Sequence, residues 1–213
     1  MRLLYSTLWI LAVPLALLRL FWRSRSEAGY AGNVLQRLGF FRAVSLRPTI
    51  WLHAVSVGET RAAQTLIEAL RARWPHARIL LTQTTATGRA TAQSLYGDAV
   101  TLAWLPWDLP WSQRAFLRVW RPAIGILMET ELWPNLIAEC RRAGVPVVLV
   151  NARLSERSAR RYARLPSLAG AMLQDLSGIA AQTDADAGRL RTLGARNVTV
   201  AGNLKFDLSP PPD

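Results

Sequence analysis

The stretch Ile50-Trp51-Leu52-His53-Ala54-Val55-Ser56-Val57-Gly58-Glu59 runs from a short β-branched and aliphatic segment through small residues into a helical pattern that continues to about Arg73. It reads as a strand over Ile50–Val55, a tight turn, and a helix from about Glu59. Outward from it the same unit recurs. Strands are expected at 78–83, 100–104, 123–128, 146–150, 178–181 and 198–201. Helices are expected near 87–95, 112–120, 134–143, 155–173 and 184–193, with Pro134 in a first turn and Gly144 as a stop. Such alternation calls for parallel strands joined by right-handed crossovers, an α/β fold with a Rossmann-like doubly wound parallel sheet. Ligands bind such sheets at the carboxyl edge, so function is sought just after each strand.

The chain has 213 residues, 51% of them hydrophobic and 19% charged, enough for one full domain and something extra. The extra is N-terminal. Leu3 to Leu18 carries no charge, and the apolar run extends to Trp22, long enough as a helix to cross a bilayer. Arg19, Arg23 and Arg25 follow it and only Arg2 precedes it. That bias keeps the rest of the protein in the cytoplasm. Residues 1–25 therefore read as a membrane-anchor helix with a basic flank, spanning or deeply inserted. Residues 26–47 read as a basic connecting segment, 48–207 as the Rossmann-like domain, and 208–213, ending Pro-Pro-Pro-Asp, as the start of a linker.

A net charge of +12 favours an anionic partner: nucleic acid, anionic lipid or a phosphorylated substrate. Cys140 is the only cysteine, and His53 and His76 are the only histidines. With no H-E-x-x-H or C-x-x-C spacing, no metal site is expected. No G-x-G-x-x-G follows the first strand and no Walker ending follows the second, so neither a dinucleotide nor a P-loop cofactor is expected.

The strand exits supply the candidates. Ser56-Val57-Gly58-Glu59 puts a glutamate in the first turn of a helix, where an ionised carboxylate is favoured. It is either a proton acceptor or an ordinary complement to the helix dipole. Glu129-Thr130-Glu131 sets two carboxylates between an apolar strand and a helix start, where desolvation and mutual repulsion shift proton affinity. Thr82, Thr84, Thr85, Thr87 and Gly88 form a hydroxyl-rich turn fit for a sugar or phosphate, or simply for helix capping. Lys205 is the only lysine in an arginine-rich chain. As a compact point charge it suits a phosphate. Arg153 and the following Arg157, Arg160 and Arg161 offer cationic groups, or a solvated face. His53 reads as a hydrogen-bond donor to a ligand or, more commonly for a lone histidine on a strand, as a satisfied core residue.

Taken together, W-L-H-A-V-S-V-G-E-T from Trp51, M-E-T-E-L-W-P-N from Met128, N-A-R-L-S from Asn151 and G-N-L-K-F-D from Gly202 resemble the bacterial 3-deoxy-D-manno-octulosonic acid (Kdo) transferases of lipopolysaccharide synthesis. The resemblance implies the N-terminal, acceptor-binding half of a GT-B glycosyltransferase on the cytoplasmic side of the inner membrane. It implies transfer of Kdo from CMP-Kdo to the lipid A precursor lipid IVA, with membrane lipids as neighbours and no nucleic acid partner. It implies Glu59 as the catalytic base and Glu129 and Lys205 as supports of the transition state. Ser56, Gly58, Thr85, Glu131 and Arg153 are expected at the acceptor site. The donor-binding domain would follow the linker. Leu35-Gln36-Arg37-Leu38-Gly39 departs from the family's G-E-R-x-G. The rival reading is a non-catalytic, membrane-bound lipid A-binding module.

Overall fold

Residues 1–25, 34–42 and 49–204 are described by the computed structural model. Seven strands are found among them: β1 (Thr49–His53), β2 (Arg78–Gln83), β3 (Thr101–Trp104), β4 (Pro122–Met128), β5 (Val147–Ala152), β6 (Gly178–Ala181) and β7 (Val198–Val200). They form one parallel sheet in the order β3-β2-β1-β4-β5-β6-β7. The winding reverses between β1 and β4. That reversal opens a crevice at the carboxyl edge, the place where doubly wound sheets bind ligands.

The connecting helices are α3 (Val57–Ala62), α4 (Gln64–Arg73), α5 (Ala86–Tyr96), α6 (Pro110–Trp120), α7 (Pro134–Arg142), α8 (Glu156–Ala163), α9 (Pro166–Asp175) and α10 (Asp184–Thr192); α1 (Arg2–Ser24) and the single turn α2 (Val34–Arg37) precede them. Alternate residues of each strand feed two cores. Trp51, Leu80, Leu127 and Leu149 pack with Phe116, Ile137, Met172 and Leu190 on one face. Leu52, Leu81, Ile126 and Met128 pack with Ala62, Ile67 and Ala92 on the other. A strand buried on both faces has to be apolar almost throughout, which is why the strands read so clearly. Gly125 in β4 makes room for the Trp51 ring, which a Cβ there would meet at 2.8 Å.

Two expected helices are divided. The one placed at 59–73 starts at Val57 and breaks at Ala63. The long helix at 155–173 breaks at Arg164–Leu165, because Pro166 pushes Leu165 out of the helical region (ψ 62°) and then opens α9 at its first position.

Helix α1 is long and apolar enough to cross a membrane. Its burial is one-sided. Tyr5, Ser6, Trp9, Ala12, Val13, Ala16, Leu17 and Leu20 are covered to some degree, whereas Leu4, Leu8, Leu11, Leu15, Leu18 and Trp22 are exposed. Its first turns dock on the domain. The Ser6 hydroxyl donates to Asn135 Oδ1 at 2.9 Å, the Tyr5 hydroxyl bonds to Asp108, and Trp9 stacks on Trp107 with centroids 6.3 Å apart.

Candidate active site at the β1/β4 switch point

The exit of β1 is built as a capping box. Ser56 is the N-cap of α3, its hydroxyl oxygen accepting from the Glu59 amide at 3.2 Å. The Ser56 hydroxyl donates to Glu59 Oε1 at 2.8 Å, and the Val55 amide donates to Oε2 at 2.8 Å. A Ser-x-x-Glu sequence makes this closure by local geometry alone. The result is a carboxylate fixed at both oxygens and 6% exposed, with lone pairs left on each oxygen for a further donor.

Burial pushes the proton affinity of Glu59 up. Hydrogen bonds from Val55 and Ser56 pull it back, and the charge of Glu129 pushes it up again; it ends above the ordinary glutamate range. Glu129, 70 positions along the chain, stands beside it because β4 is the neighbour of β1. Its backbone is left-handed (φ 56°), rare for a residue with a side chain, and its amide donates to Val150 O at 2.9 Å. Asn151, at the end of β5, is also left-handed (φ 53°). Such strain gathers at functional edges. The Glu131 carboxyl is likewise raised, by burial first and then by Glu59 and Glu129, against a 2.7 Å hydrogen bond from the Trp133 indole. Glu129 thus acts on both Glu59 and Glu131, and Glu59 acts on Glu131, at the crevice.

The other named residues take different parts. Thr85 caps α5, accepting from the Gly88 amide at 3.1 Å, and its hydroxyl donates to Val55 O at 2.7 Å, so it braces the β1 exit. Gly58 is exposed, with open space where a side chain would stand. Arg153 is exposed just past β5, and its carbonyl accepts from the Thr130 hydroxyl, tying the β4 and β5 exits together. Lys205 lies outside the described residues. His53 is fully buried, its Nδ1 3.0 Å from Thr82 O, and burial lowers it to about 4, as befits a neutral core histidine. Arg37 is 4% exposed, stacked 4.1 Å over Trp104 and donating to Thr84 O, so the departing segment at 35–39 is part of the packing behind the β2 and β3 exits.

One residue that the sequence did not single out, Asp108, proves central, and Gly88, read there only as part of a hydroxyl-rich turn, has a packing role. Asp108 is 1% exposed and accepts from the Asn135 and Leu136 amides at 3.0 and 2.8 Å. Gly88 carries α5 so close to the β1 exit that a Cβ would meet Val55 O at 2.6 Å and Thr85 Oγ1 at 2.8 Å. We expect Gly88→Ala to lower unfolding free energy by about 1–3 kcal/mol in urea titrations, since the contact is with backbone that cannot swing aside. Gly58→Ala, with only Ser56 Oγ nearby at 3.9 Å, should leave it nearly unchanged.

Beside this edge lies an apolar groove of about 410 Å³ walled by Tyr5, Leu132, Tyr162, Leu165 and Met172, with Arg161 at its polar side.

A doubly wound sheet with fixed carboxylates at its switch point defines a Rossmann-type domain equipped for chemistry on a bound ligand. Comparison with known proteins narrows this. Residues 32–208 match the family model described as 3-deoxy-D-manno-octulosonic-acid transferase (kdotransferase). Relatives named 3-deoxy-D-manno-octulosonic acid transferase are 44% identical in Bordetella pertussis (89% of this chain, 46% of that one) and 38% identical in Haemophilus influenzae (98% and 50%). The chain belongs to the Kdo transferase family. It spans about half the length of these curated relatives. Among solved structures, Phytolacca americana UGT2 complexed with UDP-2fluoro-glucose and pterostilbene is similar at a TM-score of 0.50 and 14% identity, over 76% of this chain and 55% of that one. That likeness concerns the fold alone.

Proposed function

We propose that the chain forms the acceptor side of a Kdo transferase, working with CMP-Kdo as donor and lipid IVA as acceptor at the cytoplasmic face of the inner membrane. The observation that carries this reading is Glu59, a carboxylate immobilised at the switch point with its proton affinity raised. In the proposed step an acceptor hydroxyl oxygen attacks the anomeric carbon of Kdo. Glu59 takes the hydroxyl proton, the new C–O bond forms, and the bond to the CMP phosphate breaks with its electron pair leaving on CMP. Attack opposite the leaving group inverts the anomeric centre. Glu129 keeps Glu59 basic, and Lys205 is assigned to the charge that develops on the leaving phosphate.

The acceptor would approach over Gly58, where no side chain obstructs it, and Arg153 and Arg161 suit its phosphates. The groove between Tyr5 and Met172 suits one of its acyl chains. Residues 1–25 hold the domain at the lipid surface where such an acceptor resides.

The test mixes this chain with CMP-Kdo and lipid IVA, alone and together with the portion of the Bordetella pertussis relative that it does not match. CMP release with Kdo joined to the lipid is expected in the supplemented reaction. Lipid IVA binding without CMP release in either reaction would favour the non-catalytic module, in which the Ser56–Glu59 closure is a helix cap and nothing more.

A further inference from the structure

We infer that α1 lies in the plane of one leaflet, with its N-terminus on the same side of the membrane as the domain, and does not cross the bilayer. The inference rests on the membrane reading above and refines it.

Three contacts pin the first turns of α1 to the domain: Tyr5 to Asp108, Ser6 to Asn135, and Trp9 against Trp107. The chain that follows α1 returns to the same place. The Trp107 amide donates to Arg37 O at 2.8 Å, and the Trp104 amide donates to Gln36 Oε1 at 3.1 Å. The first turns of α1 and the residues that follow it, Gln36 and Arg37, are thus fastened to the same place: the end of β3, the loop that joins it to α6, and the start of α7 beside that loop. A helix crossing the membrane once would have to leave Tyr5, Ser6 and Trp9 on the far side from that loop.

Charge then sets the tilt. Were α1 to plunge inward from its docked end, Arg19 would lie about 15 Å beyond Trp9, midway through the hydrocarbon, with Arg23 and Arg25 deeper still. Arginine at that depth is strongly disfavoured. With α1 lying flat, Arg2, Arg19, Arg23 and Arg25 all stay at the level of lipid phosphates. The exposed side chains fit that placement. Leu4, Leu8, Leu11, Leu15, Leu18 and Trp22 follow one another at spacings of four and three, a single line along the helix opposite its covered face. Such a line can be immersed in the acyl layer while the other face stays on the protein.

The experiment adds a short hydrophilic tag with a protease site before Met1 and expresses the full chain in a Gram-negative host. Protease should remove the tag in inverted inner-membrane vesicles and leave it intact in spheroplasts. In the same membranes, Trp9→Cys with Trp107→Cys, in a Cys140→Ala background, should be joined by a short bis-maleimide, and either single-cysteine control should not. Cleavage only in spheroplasts, or loss of the cross-link in membrane-bound protein, would overturn the in-plane placement. A chain that stays soluble, without sedimenting with membranes, would overturn the membrane reading itself.

Discussion

Glu59→Gln is expected to lower kcat about 10³-fold in the supplemented reaction, with the affinity for lipid IVA changed no more than a few-fold. The substitution separates chemistry from architecture. Glutamine can still close the box: its amide oxygen accepts from the Val55 amide, its NH2 group donates to Ser56 Oγ in place of the bond that Ser56 now donates, and the start of α3 survives. What is lost is the ability to take a proton from the acceptor hydroxyl. Near-normal turnover would sink the assignment. The pH profile gives a second reading of the same group. A base works only when ionised, so kcat/KM falls as pH drops through the pKa of Glu59. Because burial and Glu129 raise that pKa, the acid limb should lie above the ordinary glutamate range. Glu129→Gln removes one of the two upward influences, and the limb should then move to lower pH. A limb that stays in place would mean that Glu129 does not act on the base.

The fold was legible because the central strands are covered on both faces, and a run such as Ile79-Leu80-Leu81 has no other use. All seven strands were placed to within a few residues on that signal. The break at Leu165 was also available, since Pro166 disfavours helix at the residue before it. Strand order was a different matter. Nothing local says that β4 lies beside β1, so the pairing of Glu59 with Glu129 emerges only from the sheet. The Ser56-x-x-Glu59 box could be read directly, and the structure added that both oxygens are held. Thr85 shows the limit of composition: a hydroxyl that suits a sugar equally suits a helix cap, and here it caps and braces. Asp108 had no local signature at all. Between Trp107 and Leu109, just ahead of Pro110, it looks like turn chemistry, and its partners lie in α1 and 27 and 28 positions downstream.

Asp108→Ala should be among the most damaging single changes in the domain, lowering unfolding free energy by about 3–5 kcal/mol in urea titrations. Helix α7 begins Trp133-Pro134, and Trp133 has no side-chain acceptor to offer the open amides of the first turn. Asp108 reaches across from the preceding crossover and does that work, accepting from both Asn135 and Leu136. Its backbone oxygen holds the Asn135 amide group at 2.7 Å, and its carboxylate also holds Tyr5. Alanine leaves two buried N–H groups without partners, removes one of the three contacts that hold the first turns of α1, and loosens the segment that carries Glu129 and Glu131. Stability and turnover should therefore fall together, unlike in Glu59→Gln. The pH dependence identifies the cause. Burial raises Asp108 to about 6 despite hydrogen bonds that lower it, so the folded state binds its proton more tightly than the unfolded chain does. The stability this group contributes is then fullest below about pH 4 and is lost as pH rises through about 6. The gap in unfolding free energy between wild type and Asp108→Ala should widen by about 1–2 kcal/mol from pH 7 to pH 5. A gap that stays constant would mean that solvent reaches the carboxylate, in which case the seam joining α1 to α7 is too open to hold α1 against the domain.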